Sequence, residues 1–351
     1  MTLKNLLFKQ IWQSGPISFE EYMSQCLYHP EFGYYTSGTA RIGKSGDFYS
    51  NPSVHALYGW MIADYFLRTL APIEGTLVVL ELGGGEGQFA RDFLDFVAAE
   101  KPDSLPRLSY FILEQSPALR TRQEATLGDS RARVEWLTGL QELQPFQGLV
   151  FANEFYDAFP VRRFRFSSGR WKEIFVGEKD SQLVEVETPV ASVPPIAPAS
   201  PQEGDEFEVS DARSHHLTSL LPLWTRGLFL ILDYGAEQPR LVQRFARGTV
   251  LAYRSHQAGE DLYADPGDQD LTAHVDFTAL QQVFRQDSDV LFKFLSQSEF
   301  LLNAGIFDLV KRLNFATSGL SGIRLHAAMK TLVNPEGMGT TFHVLAARKR
   351  V

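Results

Sequence analysis

Three stretches carry residues spaced for chemistry: "LELGGGEGQF" (80–89), "FILEQSP" (111–117) and "ANEFYDAFP" (152–160). In the first, Gly83, Gly85 and Gly87 fall at alternate positions behind Glu81. Glycines let a ligand approach the backbone and adopt positive φ. A helix opening after them favours a carboxylate at its N-terminus. Glu81 and Glu86 repel a pyrophosphate but suit a ligand carrying an ammonium and a sulfonium, as S-adenosyl-L-methionine does. The strict dinucleotide spacing Gly-x-Gly-x-x-Gly fails, because the place after Gly83 and Gly85 is Gln88, and Gly84 is followed by Glu86 and Phe89. Only Gly85-x-Gly87-x-x-Ala90 fits a looser form, with Glu86 where the pyrophosphate must approach, so a nicotinamide oxidoreductase stands as a disfavoured alternative.

In the second stretch Glu114 closes a strand 27 residues past Gly87, where a carboxylate accepts both ribose hydroxyls. Gln115 or Ser116 would border the adenine. In the third, Asn153, Glu154 and Asp157 end a strand and face the donor. Carboxylates there orient a cationic acceptor and match a guanidinium. Glu154 and Asp157 are the candidates to take the acceptor's proton and steady its charge.

Other patterns weigh less. "GTARIGKS" (38–45) matches Gly-x4-Gly-Lys-Ser formally, but no buried strand precedes it, and Gly46 and Pro52 oppose a following helix. A lid carrying Lys44, Asp47 and Phe48 is the better reading. His215-His216 lacks metal-ligand spacing, and there is neither a His-Glu-x-x-His nor a cysteine pair, so no metal is expected. No Gly-x-Ser-x-Gly elbow occurs. His256, Asp276 and the acids of 260–270 form a loop cluster, more in keeping with solvated surface than with a site.

The elements that must position these residues follow from periodicity. Apolar spacing predicts helices over 3–14 and 18–28, with Ser18 as cap and Glu21 three residues on, and another over 54–71 ended by Pro72. Strands at 76–82, 108–114, 133–137 and 148–154 alternate with helices at 87–99 and 117–127, which calls for a doubly wound, mostly parallel sheet. Residues 161–187 alternate with period two around "SSGR" as antiparallel strands, and the proline-rich 188–204 reads as an exposed linker. A helix near 211–224, a strand at 227–235, a mostly irregular 236–272, helices at 276–285 and 296–332 and a strand at 340–349 complete the chain. The expected divisions are an N-terminal helical extension with lid loop (1–72), a core in two parts (73–160 and 211–351) and an inserted hairpin with linker (161–210).

The 351 residues, 44% hydrophobic and 21% charged, describe a globular chain. A net charge of -9 opposes a nucleic-acid or anionic-membrane surface, a local basic patch aside. The single cysteine, Cys26, cannot make an internal disulfide and reads as a buried structural thiol in a reducing compartment. No apolar run nears the ~18 residues of a membrane span, and the start lacks signal or transit character. The expectation is a bacterial cytoplasmic protein.

Taken together, "GPISFEEYMSQCLYHPEFGYY", "IGKSGDFYSNPS", "LELGGGEGQFARDFL", "FILEQSPALRTRQ", "FANEFYDAFPVRRF", "LDYG", "GTVLAYRSHQ" and "DPGDQDLTAHVDF" occur in the order seen in MidA-type proteins. The sequence resembles that family over about 14–347. The family includes a mitochondrial complex I assembly factor that is a protein arginine methyltransferase. The resemblance implies a class I methyltransferase (Rossmann-like) α/β fold and S-adenosyl-L-methionine as cofactor. It also implies symmetric methylation of an arginine in a respiratory complex I subunit, with help to its assembly. The donor motif maps to Glu81, Gly83, Gly85 and Gly87, the ribose acid to Glu114, and the family's "GDF" loop to Gly46, Asp47 and Phe48. The family usually has proline where this chain has Gly84, which would loosen the turn. A non-catalytic, cofactor-binding assembly chaperone is the rival reading.

Overall fold

A computed structural model of the chain describes residues 2–38, 55–254, 257–259, 261–316 and 320–349. Helices α1 (Leu3–Ser14) and α2 (Phe19–Tyr28) are parted by Gly15, Pro16 and a short strand, β1 (Ile17–Ser18). The Ser18 hydroxyl accepts from the Glu21 amide at 3.1 Å, satisfying one of the donors a helix start leaves unpaired. Cys26 is fully buried on α2, and burial pushes its thiol up to about 12, in keeping with a structural role.

The expected alternation follows. It comprises α3 (Leu57–Leu70), β2 (Leu77–Leu82), α4 (Gln88–Glu100), β3 (Leu108–Leu113), α5 (Pro117–Leu127), β4 (Val134–Leu137) and β5 (Phe146–Asn153). An inserted antiparallel sheet holds β6 (Arg162–Ser167), β7 (Arg170–Lys179), β8 (Gln182–Pro189) and β9 (Glu206–Val209), with β1 on β7. Then come α6 (Asp211–Leu220), β10 (Trp224–Ala236) and α7 (Gln238–Arg244). A small sheet is made of β11 (Leu251–Arg254), β12 (Gln257–Gly259) and β13 (Asp270–Thr272). The chain continues through β14 (Val275–Asp276), α8 (Phe277–Phe284), β15 (Val290–Ser296), α9 (Gln297–Ala304), α10 (Ile306–Ala316), α11 (Leu320–Val333), α12 (Met338–Thr341) and β16 (Phe342–Lys349).

The main sheet runs β15-β16-β10-β5-β2-β3-β4. Strands β2, β3, β4, β5 and β10 are mutually parallel; β16 opposes β10, and β15 opposes β16. From β2 the chain steps outward through β3 to β4, then returns to the other side of β2 as β5. Winding reverses between β2 and β5, the place where doubly wound sheets bind ligands beyond their carboxyl ends. Strand residues divide between two apolar layers with period two. Val79, Tyr110, Leu149 and Leu230 pack toward α3, α4 and α9–α11, while Leu80, Leu113, Val150 and Ile231 pack toward α6 and α8. Both faces are covered, which is why these strands read as continuous apolar runs.

Three expectations need revision. Residues 236–272, expected to be mostly irregular, hold α7 and the small sheet between their irregular stretches. The linker is not wholly exposed, since Val190, Ile196 and Ala197 pack on Phe164, Trp171 and Phe207. The helical stretch from 296 is preceded by the unanticipated β15 and broken at Gly305, whose φ of 93° ends α9. No helix among the described residues is long and apolar enough to cross a membrane.

Candidate active site

At the switch point, the chain leaving β2 turns through the glycine loop into α4. Gly83, Gly85 and Gly87 have φ of 69°, 52° and 86°, the left-handed region that disfavours side chains. A Cβ on Gly83 would lie 2.9 Å from Cδ2 of Phe155. The loop and the ends of β3 and β5 enclose a cavity of about 640 Å³, within the range of small-molecule sites. Of the residues singled out by sequence, Glu81, Gly83, Gly85, Glu114, Gln115, Asn153 and Glu154 line it. Gly87 does not; a Cβ there would sit 3.0 Å from the Gln123 Cα, so its place is the packing of α4 on α5. Asp157 is also outside the lining. Gly46, Asp47 and Phe48, with most of the Walker-like stretch, lie outside the described residues, as does His256.

Two carboxylates, Glu81 and Glu114, stand at the donor end. Glu81 is 3% exposed and accepts from the Tyr110 hydroxyl at 2.7 Å. Burial, reinforced by the nearby Glu114 charge, pushes its carboxyl up to about 8. Glu114 accepts from the Ser116 amide at 2.9 Å and from Gln123 Nε2 at 3.0 Å; burial raises its carboxyl and these bonds pull it back. Glu86 also lines the cavity, 3.5 Å from the Arg122 guanidinium.

Gln123, which sequence reasoning missed, joins these parts. Its fully buried amide donates to the Gly85 carbonyl at 2.9 Å and to Glu114, and accepts from Trp136 Nε1 at 2.8 Å. It fills the space beside Gly84, where a Cβ would meet Ile112 Cγ2 at 2.8 Å and Gln123 Nε2 at 3.0 Å. The expected loosening at Gly84 is therefore offset by a side chain that ties the loop down.

At the acceptor end, Glu154 follows β5 with φ of 50°, a conformation rare for a residue with a side chain and concentrated at functional sites. Its amide donates to the Leu232 carbonyl at 2.9 Å. Asn153 Nδ2 donates to Glu154 Oε1 at 2.9 Å, and Asn153 Oδ1 accepts from the Tyr58 hydroxyl at 2.9 Å. Asp157 is buried beside Asp233, whose Oδ2 accepts from the amides of Tyr156 and Asp157 at 3.0 and 3.2 Å. Burial drives both carboxyls upward, and the Asp157 charge adds to the effect on Asp233.

Arg213, 5% exposed, is the buried cation beside them. It donates to the carbonyls of Tyr156, Ala273 and His274 at 2.8, 2.8 and 2.9 Å, so it also stitches β5's loop to the segment before β14. Asp270, fully buried, accepts from the hydroxyl of Tyr35, a cavity-lining residue, at 2.9 Å. The loop acids thus divide: Asp270 reaches the site, whereas Asp276 caps α8 through Thr278. His216 meets the Tyr156 hydroxyl at 3.1 Å, and among the described residues no cluster of three or more acids, histidines or cysteines could hold a metal.

A sequence family described as "Putative S-adenosyl-L-methionine-dependent methyltransferase" matches residues 61–294. The chain belongs to this family. Its methyl donor is S-adenosyl-L-methionine, and the glycine loop, Glu81 and Glu114 line a cavity of small-molecule size. A Burkholderia thailandensis protein crystallised with S-adenosyl-homocysteine superposes on this methyltransferase with a TM-score of 0.88 at 31% identity, covering 99% of this chain and 92% of that one. The mitochondrial protein arginine methyltransferase NDUFAF7 of Mus musculus is 27% identical over 98% of this chain and 83% of its own length. The Caenorhabditis elegans homolog of that name is 28% identical over 89% and 78%.

Proposed function

We propose that this methyltransferase modifies an arginine of a protein substrate, a subunit of respiratory complex I, and thereby assists its assembly. The observation that carries the proposal is a concentration of carboxyl groups at the acceptor end. Glu154, Asp157, Asp233 and Asp270 gather there against one buried cation, Arg213, among the described residues around them. The Tyr234 hydroxyl is held well above its usual range, first by burial and then by Glu154 and Asp157, and the Tyr253 hydroxyl is raised by burial, then by Asp157 and Asp270. Such a site favours a cation, and a guanidinium offers planar donors to carboxylates. The names of the 27–28% identical relatives support the same substrate class.

The bound donor supplies an electrophilic methyl group on a sulfonium. The protein's part is positioning more than covalent help. Glu154 accepts the proton the arginine nitrogen loses, Asn153 orients Glu154 through the 2.9 Å bond, and Tyr58 fixes Asn153. Asp157 and Asp233 act from behind by setting the potential. Glu114 holds the ribose. Glu114→Ala is expected to weaken S-adenosyl-L-methionine binding about 10- to 100-fold, from ~1.5–3 kcal/mol for hydrogen bonds to a charged group. Titration calorimetry reads this; an unchanged affinity would move the ribose contact elsewhere.

Mass spectrometry of complex I subunits from cells with and without the protein tests the reaction. A dimethylated arginine present only with the protein is expected. Impaired assembly with identical, unmodified arginines in both samples would replace the enzyme with a chaperone.

A further inference from the structure

We propose that the sheet edge beyond the acceptor carboxylates carries a second site, one that holds acidic side chains of the protein substrate a few residues from the methylated position. The inference rests on the protein-substrate reading above and adds the substrate's charge pattern to it.

A cavity of about 680 Å³ opens between α7, the end of β10, the β15–α9 junction and the start of β16. Arg240 and Arg244, one turn apart on α7, line it with His274 and His343. Both arginines are exposed, and neither has a carboxylate partner among the described residues. Arg244 is steadied by packing on the Phe245 ring at 5.3 Å. The two acids of the lining are otherwise engaged. Glu299 accepts from the Ser296 amide and hydroxyl, both at 2.8 Å, at the head of α9. Glu237 accepts from Gln281 Nε2 at 3.1 Å.

The lining sets two arginines against two glutamates, and it is the arginines that have no bonded carboxylate among the described residues. Burial, then Arg213 and Arg244, pushes the His274 ring down to about 4. Burial and Arg240 lead the causes that lower His343, with Arg244 adding to them and Glu299 opposing. In a chain of net charge -9, two neighbouring arginines without a bonded carboxylate are a local exception, and paired guanidinium groups match carboxylates.

Position ties the cavity to the acceptor. Asn153 pairs with Leu232 on β10, and Tyr234 of β10 pairs with Phe342 on β16. The cavity therefore begins two strands from Glu154, about 10 Å at the usual strand spacing. Extended chain covers roughly 3.3–3.6 Å per residue, so a substrate bound across the edge would place its third to fifth residue from the target over Arg240 and Arg244. The wall between is Tyr234, with ring centroids 4.2 Å from Phe342 and 6.3 Å from His274.

Fluorescence anisotropy on the full chain, with S-adenosyl-L-methionine present, tests this. The probes are labelled peptides of one arginine with glutamates, alanines or lysines at the third to fifth positions beyond it. The glutamate peptide is expected to bind at least about tenfold tighter than the alanine one, with the advantage shrinking as salt screens it. The double variant Arg240→Ala/Arg244→Ala should lose that advantage and keep donor affinity. Equal binding of the peptides, or an advantage that survives in the double variant, overturns the proposal. Inorganic phosphate binding as tightly as the glutamate peptide would assign the cavity to a free anion and also overturn it. Failure of the two readings can be told apart. A glutamate peptide bound tightly but never methylated sinks arginine methylation alone, and methylation with no charge preference sinks this site alone.

Discussion

Replacing Glu154 by glutamine is expected to lower the rate of methyl transfer by about 10²–10⁴-fold, the usual contribution of a positioned acid or base, or ~2.7–5.5 kcal/mol in the barrier. The amide keeps the volume and still accepts from Asn153 Nδ2, so the local hydrogen bonds survive. What it loses is the negative charge and the ability to take a proton from the acceptor. Glu154 meets the cavity at the end of β5, beyond the glycine loop on β2, so donor affinity should stay within about twofold. Single-turnover kinetics beside calorimetry separates the two quantities. A rate within threefold of the parent would remove Glu154 from proton transfer and leave Asp157 acting through the potential.

The parts of this site legible in the sequence are those fixed by local rules. The strand runs of β2, β3, β5 and β10 are apolar on both faces because helices cover both, and that pattern alone implies a parallel sheet. Glycines spaced two apart behind a strand announce a turn of positive φ, and all three adopt one. Which member of a motif meets the cavity is another matter. Gly87 and Asp157 sit in correctly located loops, but the helix start turns the first toward Gln123 and the chain after Glu154 turns the second under the site.

The missed residues act through contacts distant in sequence. Arg213 meets carbonyls 57 to 61 residues away, and Tyr35 meets Asp270 across 235 residues. Gln123 did leave a trace. It stands between Leu119 and Leu127 at four-residue steps on the buried face of α5, where a polar residue needs partners. Strand β15 was hidden because it is held by pairing with β16, 47 to 59 residues later, whereas its own burial is only partial beyond Val290.

Arg213→Met should be the most damaging single change to the fold, costing about 3–5 kcal/mol, since each buried acceptor left without its donor costs about 1–3 kcal/mol. Three carbonyls lose their donors, and Asp157 and Asp233 lose the guanidinium that offsets their burial. The pH dependence identifies the cause. Both carboxyls are raised in the folded protein relative to the unfolded value of about 3.9. The folded state therefore binds protons the unfolded state has released, and stability falls as pH rises above the ordinary carboxylate range. Without Arg213 the two values rise further, so the loss extends to higher pH. Urea unfolding of parent and variant at pH 5 and pH 8 should show the gap widening at the higher pH. A gap of under 1 kcal/mol would show that Arg213 does little to hold the fold, and one that narrows with rising pH would rule out the carboxyls as its source.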